Sequence, residues 1–281
     1  MDTRIDGLLL RARRRLEGAS ESPALDAELL LAHTLGLPRM QLRTHGERQV
    51  APADVARFES LVGRRAAGEP VAYLTGRRGF WTIDVAVGPA VLVPRPETER
   101  LVEAALERLR PLREPAILDL GTGSGAIALA LASELPGAEV VAVEASAAAL
   151  GVARANAAAA GLSSVVFLQG HWFEPVGKRR FDCIVANPPY LAGSDPHLAS
   201  LAHEPESALV AGPTGLESLK EIIGGAGDHL REGGWLLLEH GAAQGAAVRG
   251  LCASAGLGAP LTLTDLAGLE RVTVAHRAAR P

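Results

Sequence analysis

The fold class follows from residues 116–132, AILDLGTGSGAIALALA, in which three different local patterns meet. The first five residues are mostly apolar, which is typical of a strand buried in a parallel sheet. Three glycines at alternate positions come next, and they allow a tight turn that a ligand can approach closely. Alanine and leucine then favour a helix, whose first N–H groups have no partner within the helix. This strand, turn and helix predict an α/β domain with a ligand at the carboxyl end of the strand.

Strand-like and helix-like segments alternate from residue 115 to the end of the chain, which predicts a doubly wound α/β sheet. The final two strands have no long helix between them, so the sheet is expected to close with an antiparallel hairpin. The seven expected strands cover residues 116–120, 139–143, 164–168, 181–186, 234–239, 260–264 and 271–276.

The amino-terminal region has a different pattern, in which leucines recur at helical spacing. The sequence GLP at 36–38 is a helix stop signal. We therefore predict a small helical domain over residues 1–70. Residues 71–95 are expected to form a β-hairpin linker, and residues 96–281 the α/β domain.

An acidic residue follows the second predicted strand of the sheet. Glu144 ends the apolar run 139–143, and a carboxylate at this place can accept both hydroxyls of a ribose. The spacing of Gly121, Gly123 and Ala126 fits a dinucleotide fingerprint as well as the glycine pattern of S-adenosylmethionine (SAM) enzymes. The glycine loop therefore predicts a nucleoside cofactor but leaves NAD and SAM open, with a purely structural turn as the alternative.

A second motif, Asn187-Pro188-Pro189-Tyr190, follows the predicted strand 181–186. The prolines end that strand and favour extended backbone. The Asn187 side-chain oxygen and the Pro188 carbonyl are two acceptors that suit the two hydrogens of an NH2 group, and Tyr190 adds a flat surface. The motif resembles the [DN]-P-P-[YF] signature of methyltransferases that modify planar nitrogens, which favours SAM over NAD. The alternative is an ordinary strand that ends in a proline turn.

Composition limits the possible functions. The 281 residues carry a net charge of −4, which gives no overall attraction to nucleic acid or to anionic membranes. Cys183 and Cys252 are too few and too far apart for a disulfide framework or a zinc site, so no metal is predicted. Apolar runs fall short of the roughly 20 residues that span a bilayer, and the first residues lack a signal-peptide pattern. A cytoplasmic protein is therefore expected.

Further segments link these motifs to a known family. Residues 68–76 (GEPVAYLTG), 91–99 (VLVPRPETE) and 117–128 (ILDLGTGSGAIA) precede Asn187 in that order. Together they resemble the PrmC/HemK family of release-factor glutamine methyltransferases over nearly the whole chain. The resemblance implies a SAM-dependent methyltransferase fold that methylates the side-chain amide nitrogen (N5) of the glutamine in the Gly-Gly-Gln loop of peptide-chain release factors. It also implies that the helical domain binds the release factor.

The resemblance also implies roles for individual residues. Glu144 would hold the cofactor's ribose, and Trp172 would lie near its adenine. The cofactor's methionine portion would be lined by Gly121, Thr122, Gly123, Ser124 and Gly125. The substrate glutamine would be received by Asn187, Pro188, Pro189 and Tyr190, of which Asn187, Pro188 and Tyr190 are the predicted catalytic residues and Asn187 also contacts the cofactor. Arg95 could line the active site or cap local backbone.

Two positions depart from the family pattern. His171 stands where the family usually has Asp before the tryptophan, and Gly79 stands where it usually has Glu. His171 could be a pH-sensitive ligand or base, but a partly exposed neighbour of the site is the simpler interpretation.

Other functions fit part of the pattern. An adenine-N6 DNA methyltransferase would present the same two amino hydrogens to the motif at 187–190. The acidic net charge and the lack of a basic recognition domain argue against it, and no direct nucleic-acid partner is expected. A non-catalytic SAM-binding partner protein and an NAD-dependent oxidoreductase are the remaining alternatives.

Overall fold

In the computed structural model, which describes residues 2–278, the chain divides into two units between Arg77 and Arg78. The first unit is helical, and its core is formed by buried residues that include Leu8, Leu30 and Phe58. Its helices are α1 (Ile5–Leu16), α2 (Pro23–Leu35), α3 (Arg39–Thr44), α4 (Pro52–Ala66) and α5 (Val71–Thr75).

Proline and glycine set the ends of these helices as the sequence predicts. Both α2 and α4 begin with proline, whose fixed φ suits the first helical position. Gly36 ends α2 with a φ of 63°, a left-handed conformation that glycine adopts at low cost. The short helices α3 and α5 are absent from the sequence prediction, because six and five residues are too few to show a periodic pattern.

The predicted hairpin linker over residues 71–95 is wrong in its extent. Residues 71–75 form α5, and Gly76 ends it with a φ of 73°. The hairpin is confined to β1 (Arg77–Phe80) and β2 (Ile83–Ala86). Residues 78–95 belong to the second unit, so most of the expected linker is part of that unit.

The second unit is an α/β domain, and a 3-10 turn at Pro96–Thr98 follows its hairpin. Further 3-10 turns cover Glu174–Val176, Pro196–Leu201 and Glu206–Ala208. Its remaining elements are α6 (Glu99–Leu109), β3 (Ala116–Leu120), α7 (Ala126–Glu134), β4 (Glu139–Glu144), α8 (Ala147–Ala159), β5 (Val166–Gln169), β6 (Phe181–Ala186), β7 (Leu191–Ala192), β8 (Val210–Gly212), α9 (Glu217–His229), β9 (Leu230–Glu239), α10 (Gly245–Ser254), β10 (Gly258–Thr264) and β11 (Glu270–His276).

Seven of these strands form one sheet in the order β10-β11-β9-β6-β3-β4-β5. The five adjacent strands β9, β6, β3, β4 and β5 are parallel to one another. In contrast, β11 runs antiparallel to both of its neighbours, β9 and β10. The predicted doubly wound sheet with an antiparallel terminal hairpin is confirmed. Strand order changes direction between β3 and β6, and ligands of such sheets bind at the carboxyl ends of the strands beside this point.

The central strands are buried on both faces. Every residue of β3 is buried, and β6 is buried except for Asp182. Because helices cover both faces of a doubly wound sheet, such strands are nearly continuous apolar runs rather than alternating ones. The parallel pair β7 and β8 lies outside this sheet and is too short for the sequence to reveal.

Among residues 2–278, none of the helices combines the length and the apolar character that crossing a membrane requires.

A core substitution tests the central position of β3. We expect Leu118→Ala to lower the free energy of unfolding by about 2–5 kcal/mol, because it leaves a cavity between buried neighbours. Leu266→Ala is the matched control, since Leu266 is fully exposed between β10 and β11, and it should change that free energy by less than about 0.5 kcal/mol. Urea unfolding followed by circular dichroism measures both, and equal midpoints would contradict the burial of Leu118.

Candidate active site

The glycine loop after β3 is a tight turn held by the neighbouring strand β4. Gly121 and Gly123 have φ values of 72° and 56°, so the loop uses the conformational freedom of glycine. The N–H groups of Gly121 and Thr122 both donate to the carbonyl of Val143, at 2.9 and 3.0 Å. This backbone contact fixes the loop at the carboxyl end of the sheet.

A buried carboxyl lies beneath the loop. The Thr122 hydroxyl donates to Asp119 Oδ2 at 2.6 Å, and Asp119 is fully buried. Burial raises the pKa of Asp119 to about 7, against the opposing effect of the Thr122 hydrogen bond. Its Oδ1 atom has no hydrogen-bond partner within residues 2–278.

Asn156 of α8 is a structural residue of the loop that the sequence analysis missed. Its Nδ2 donates to the Ser124 carbonyl at 2.8 Å and to the Ala86 carbonyl at 3.1 Å, while its Oδ1 accepts from the Ala86 N–H at 2.7 Å. The side chain therefore ties the glycine loop to β2 and α8. The available signal was the one uncharged polar residue in an alanine-rich stretch of helix, ARANAAAA.

Glu144 lies at the end of β4 and faces the glycine loop. Its Oε2 accepts from the Gly123 N–H and its Oε1 from the Ser146 N–H, both at 2.9 Å. Each carboxylate oxygen can accept a further hydrogen bond. The two backbone contacts thus hold the carboxylate in place while leaving acceptor capacity for a ligand.

Trp172 packs directly on the glycine loop. A Cβ atom added at Gly121 would lie 3.3 Å from Cζ3 of Trp172, so a side chain there would crowd the indole ring. Trp172 has a φ of 40°, which is uncommon for a bulky residue and marks local strain. Its indole N–H is buried and unpaired in the described part of the chain.

The His171 side chain is half exposed, and His171 lines the cavity of the site together with Trp172. Its Nε2 lies 2.9 Å from Oε1 of Glu221, which is also exposed, and its ring contacts Trp172 at a tilted angle.

Asn187 lies one residue beyond β6. The nitrogen of its side-chain amide has a hydrogen-bond partner, whereas the oxygen has none among residues 2–278. Its Nδ2 donates to the Thr98 hydroxyl at 3.2 Å. Its Oδ1 is buried and has no hydrogen-bond partner in the range 2–278. An unpaired buried acceptor costs stability, so this oxygen is the feature of the motif that a ligand would satisfy.

The other residues of the motif lie around Asn187 in different ways. Pro188 is buried, whereas Pro189 and Tyr190 are partly exposed. The ring of Tyr190 packs against the sheet core, and its carbonyl accepts from Gln244 Nε2 at 2.9 Å. Burial raises the pKa of the Tyr190 phenol to about 12, so it stays protonated at neutral pH.

Arg95 is engaged by a buried carboxylate. Glu204 accepts from the Arg95 guanidinium with one oxygen and from the Val93 N–H, at 2.9 Å, with the other. The Arg95 side chain is one-third exposed. The contact holds the segment around Pro94 against the loop that carries Glu204, with a carboxylate rather than local backbone as the partner of Arg95.

These groups surround one cavity of about 470 Å³, which is within the range of small-molecule sites. The predicted residues that line it are Gly121, Thr122, Gly123, Ser124, Glu144, Trp172, Asn187 and Pro189. Thr98 and residues 90–92 line it as well, and the sequence analysis did not single these out. In the described structure, the predicted residues outside its lining are Gly125, Pro188, Tyr190 and Arg95.

The donor set of the cavity fits a nucleoside cofactor better than a metal. It combines a carboxylate, a glycine loop with open backbone and an indole. Among residues 2–278, no group of three or more His, Cys, Asp or Glu side chains could hold a metal ion.

Two models of known families match the chain, one on each side of the boundary between the two structural units. A model described as "PrmC N-terminal domain" matches residues 7–76, and one described as "Methyltransferase small domain" matches residues 98–212. The second match covers the glycine loop, Glu144 and Asn187.

Solved structures with a similar fold are also methyltransferases. A methyltransferase from Pyrococcus furiosus aligns with a TM-score of 0.54 at 19% identity, over 70% of this chain and 89% of that chain, which shows the fold. A 16S rRNA methyltransferase from T. thermophilus, solved in complex with AdoMet and guanosine, aligns with a TM-score of 0.55 at 27% identity, over 72% of this chain and 49% of that chain.

Curated relatives share nearly the whole length of the chain. A release factor glutamine methyltransferase from Xylella fastidiosa is 54% identical over 95% of this chain and 96% of its own length. One from Aliivibrio fischeri is 45% identical over 98% of both chains. One from Pseudomonas aeruginosa is 49% identical over 91% of this chain and 93% of its own. The family resemblance read from the sequence is therefore confirmed: the chain belongs to the release factor glutamine methyltransferases.

Proposed function

We propose that this protein transfers a methyl group from SAM to the side-chain amide nitrogen of the glutamine in the Gly-Gly-Gln loop of peptide-chain release factors. Family membership supports the reaction class and the type of substrate. The observation that carries the proposal is at Asn187, which lines the same cavity as the glycine loop and Glu144 and whose buried Oδ1 has no hydrogen-bond partner among residues 2–278. An acceptor without a partner is what an incoming amide N–H requires.

SAM would be held by the part of the cavity between β3 and β4. The glycine loop would contact the methionine portion of SAM, and Glu144 would accept hydrogen bonds from its ribose hydroxyls. Trp172 would contact its adenine, with the unpaired indole N–H as a donor. SAM supplies an electrophilic methyl group when bound, and the residues of this chain orient the groups that react.

An amide nitrogen is a poor nucleophile because its lone pair is delocalised into the carbonyl, the same resonance that resists rotation by about 18–20 kcal/mol in a peptide bond. The Asn187 oxygen and the Pro188 carbonyl would accept both N–H hydrogens of the glutamine. Holding these hydrogens draws the nitrogen toward a pyramidal geometry and aims its lone pair at the methyl group. Such positioning can contribute on the order of 7–11 kcal/mol.

Charge and proton balance require no further catalytic base. The oxygens of Asn187 and Pro188 are fixed dipoles that stabilise the positive charge developing on the glutamine nitrogen. The methylated nitrogen is strongly acidic, so its extra proton can pass to water. Tyr190, with its high pKa, would serve as a neutral packing surface rather than as a base.

The helical unit is proposed to bind the release factor. It has its own core and matches the PrmC N-terminal domain model. On α2, Leu25 and Leu29 are four residues apart and each is more than one-third exposed, so they form an apolar pair on one helix face.

Asn187→Ala tests the acceptor. We expect kcat to fall about 100-fold or more, the effect of removing one preorganised transition-state contact, with the SAM dissociation constant within a few-fold of wild type. Methyl transfer from labelled SAM to a purified release factor, with the modified residue located by peptide mass spectrometry, measures this. Gln169→Ala, an exposed change at the end of β5, is the control. Wild-type turnover in Asn187→Ala would disprove the acceptor role.

Glu144→Ala tests the cofactor assignment. Loss of charge-assisted hydrogen bonds should raise the SAM dissociation constant about 10- to 100-fold. Glu139→Ala removes a carboxylate from the opposite, exposed end of β4 and should leave SAM binding unchanged. Isothermal titration calorimetry compares the two variants, and equal SAM affinities would refute the role of Glu144.

The double variant Leu25→Glu/Leu29→Glu tests the helical unit. We expect a several-fold higher KM for the release factor with an unchanged SAM dissociation constant, because charges replace an exposed apolar contact surface. Leu112→Glu, an equally exposed leucine of the second unit, is the control. An unchanged KM for the double variant would place release-factor binding on another surface.

A further inference from the structure

Three polar side chains from distant parts of the sequence meet at the cavity, which two of them, Thr98 and Asn187, line. Thr98 lies immediately before α6, Asn187 immediately after β6, and Glu239 at the end of β9. The pairing of Ala186 with Leu238 in β6 and β9 brings the last two together. Thr98 and Glu239 are buried, at 3% and 1% exposure.

The three side chains interact with one another. Asn187 donates to the Thr98 hydroxyl through Nδ2 at 3.2 Å. The buried carboxyl of Glu239 lies beside both side chains, which lower its pKa, and its Oε2 has no hydrogen-bond partner among residues 2–278. An ionised carboxylate only accepts hydrogen bonds, and a hydroxyl has one hydrogen to donate. The Thr98 oxygen accepts from Asn187, so the hydrogen of the Thr98 hydroxyl is available for donation to Glu239.

This direction of donation determines which end of the Asn187 amide faces the cavity. Its NH2 group lies on the side of two acceptors, since it donates to Thr98 at 3.2 Å and interacts with the buried carboxyl of Glu239. Its Oδ1 must then point away from them, and it is the atom left buried and unpaired in the described structure. The reversed amide would present an NH2 group to the glutamine NH2, where neither group can accept a hydrogen bond.

We propose that Glu239, acting directly and through Thr98, is a positioning residue that keeps the Asn187 oxygen, rather than its nitrogen, facing the substrate amide. This inference rests on the proposed function, because it explains how the acceptor in that reaction is oriented. Glu239 does not touch the reacting atoms in this scheme. It acts by being a pure acceptor at the end of a short hydrogen-bond chain.

The protonation state of Glu239 controls this chain. Burial raises the pKa of Glu239 to about 7, and Glu97 acts in the same direction, whereas Thr98, Arg271 and Asn187 lower it. Tyr190 also faces Glu239 and remains neutral. Below this pKa the Glu239 carboxyl carries a hydrogen that it can donate to Thr98. The preference for one orientation of the Asn187 amide is then lost. The rate of methyl transfer should therefore rise as pH increases through about 7.

The test uses single-turnover methyl transfer to a purified release factor by the full-length protein. Thr98→Val keeps the side-chain shape but removes the hydroxyl, and we expect the rate to fall about tenfold, as for the loss of one buried hydrogen bond. Thr98→Ser restores the hydroxyl and should keep the rate within about threefold of wild type. Thr273→Val, another buried hydroxyl, paired with His240 and Thr262, is the matched control and should retain wild-type activity.

Glu239→Gln separates positioning from a structural role. Its amide oxygen can still accept from Thr98 but does not titrate, so the rise in rate through about pH 7 should disappear. Asp119, whose pKa is also raised to about 7, is unchanged in this variant. Loss of the pH dependence therefore assigns it to Glu239. Thermal unfolding of each variant at pH 6 and at pH 8 monitors folding.

Several outcomes would overturn the inference. These are a wild-type rate in Thr98→Val, no rescue by Thr98→Ser, a wild-type enzyme whose rate is independent of pH near 7, or a Glu239→Gln profile that matches wild type. Failure of the wild-type protein to methylate the release-factor glutamine would instead refute the proposed function. If Thr98→Val does not fold, the serine variant and the two pH profiles still decide the question.

Discussion

The register between the neighbouring parallel strands β3 and β6 controls the architecture of the site. Leu120 pairs with Ala186, so the residues that follow, Gly121 and Asn187, emerge side by side from the carboxyl edge of the sheet. The two motifs are more than 60 residues apart in the sequence. Because strand order reverses between β3 and β6, the connections diverge there and leave a crevice in which a ligand can bind.

Buried polar groups are concentrated at this edge. Asp119 and Glu239 are carboxyls with raised pKa values, and the Asn187 oxygen and Trp172 N–H are unpaired in the described residues. Each costs stability in the protein without ligands, since a buried polar group without a partner loses its hydration. Their location around one cavity, rather than throughout the sheet, is typical of functional sites.

The groups proposed to hold the cofactor and the group proposed to receive the substrate differ in how they are held. The glycine loop and Glu144 are fixed by backbone hydrogen bonds, which depend little on the identity of distant side chains. Asn187 is held by a side-chain hydrogen bond to Thr98, and Glu239 is proposed to fix its orientation. Under that proposal, single substitutions and pH affect the acceptor of the substrate amide, whereas the glycine loop is held by the backbone of the neighbouring strand.

The amino-acid sequence was sufficient for the features that depend on local pattern. The apolar runs predicted all seven strands of the main sheet, and the glycine and Asn-Pro-Pro-Tyr motifs predicted two sides of one site. Short elements such as α5, β7 and β8 escaped because two to five residues carry no periodicity. Asn156, Thr98 and Glu239 escaped for a different reason: their partners are distant in sequence, and folding alone brings a side chain from β9 to the start of α6. Local propensity therefore specifies where the strands and turns lie, whereas the hydrogen-bond partners that orient the active groups arise only from the packing of the strands into a sheet.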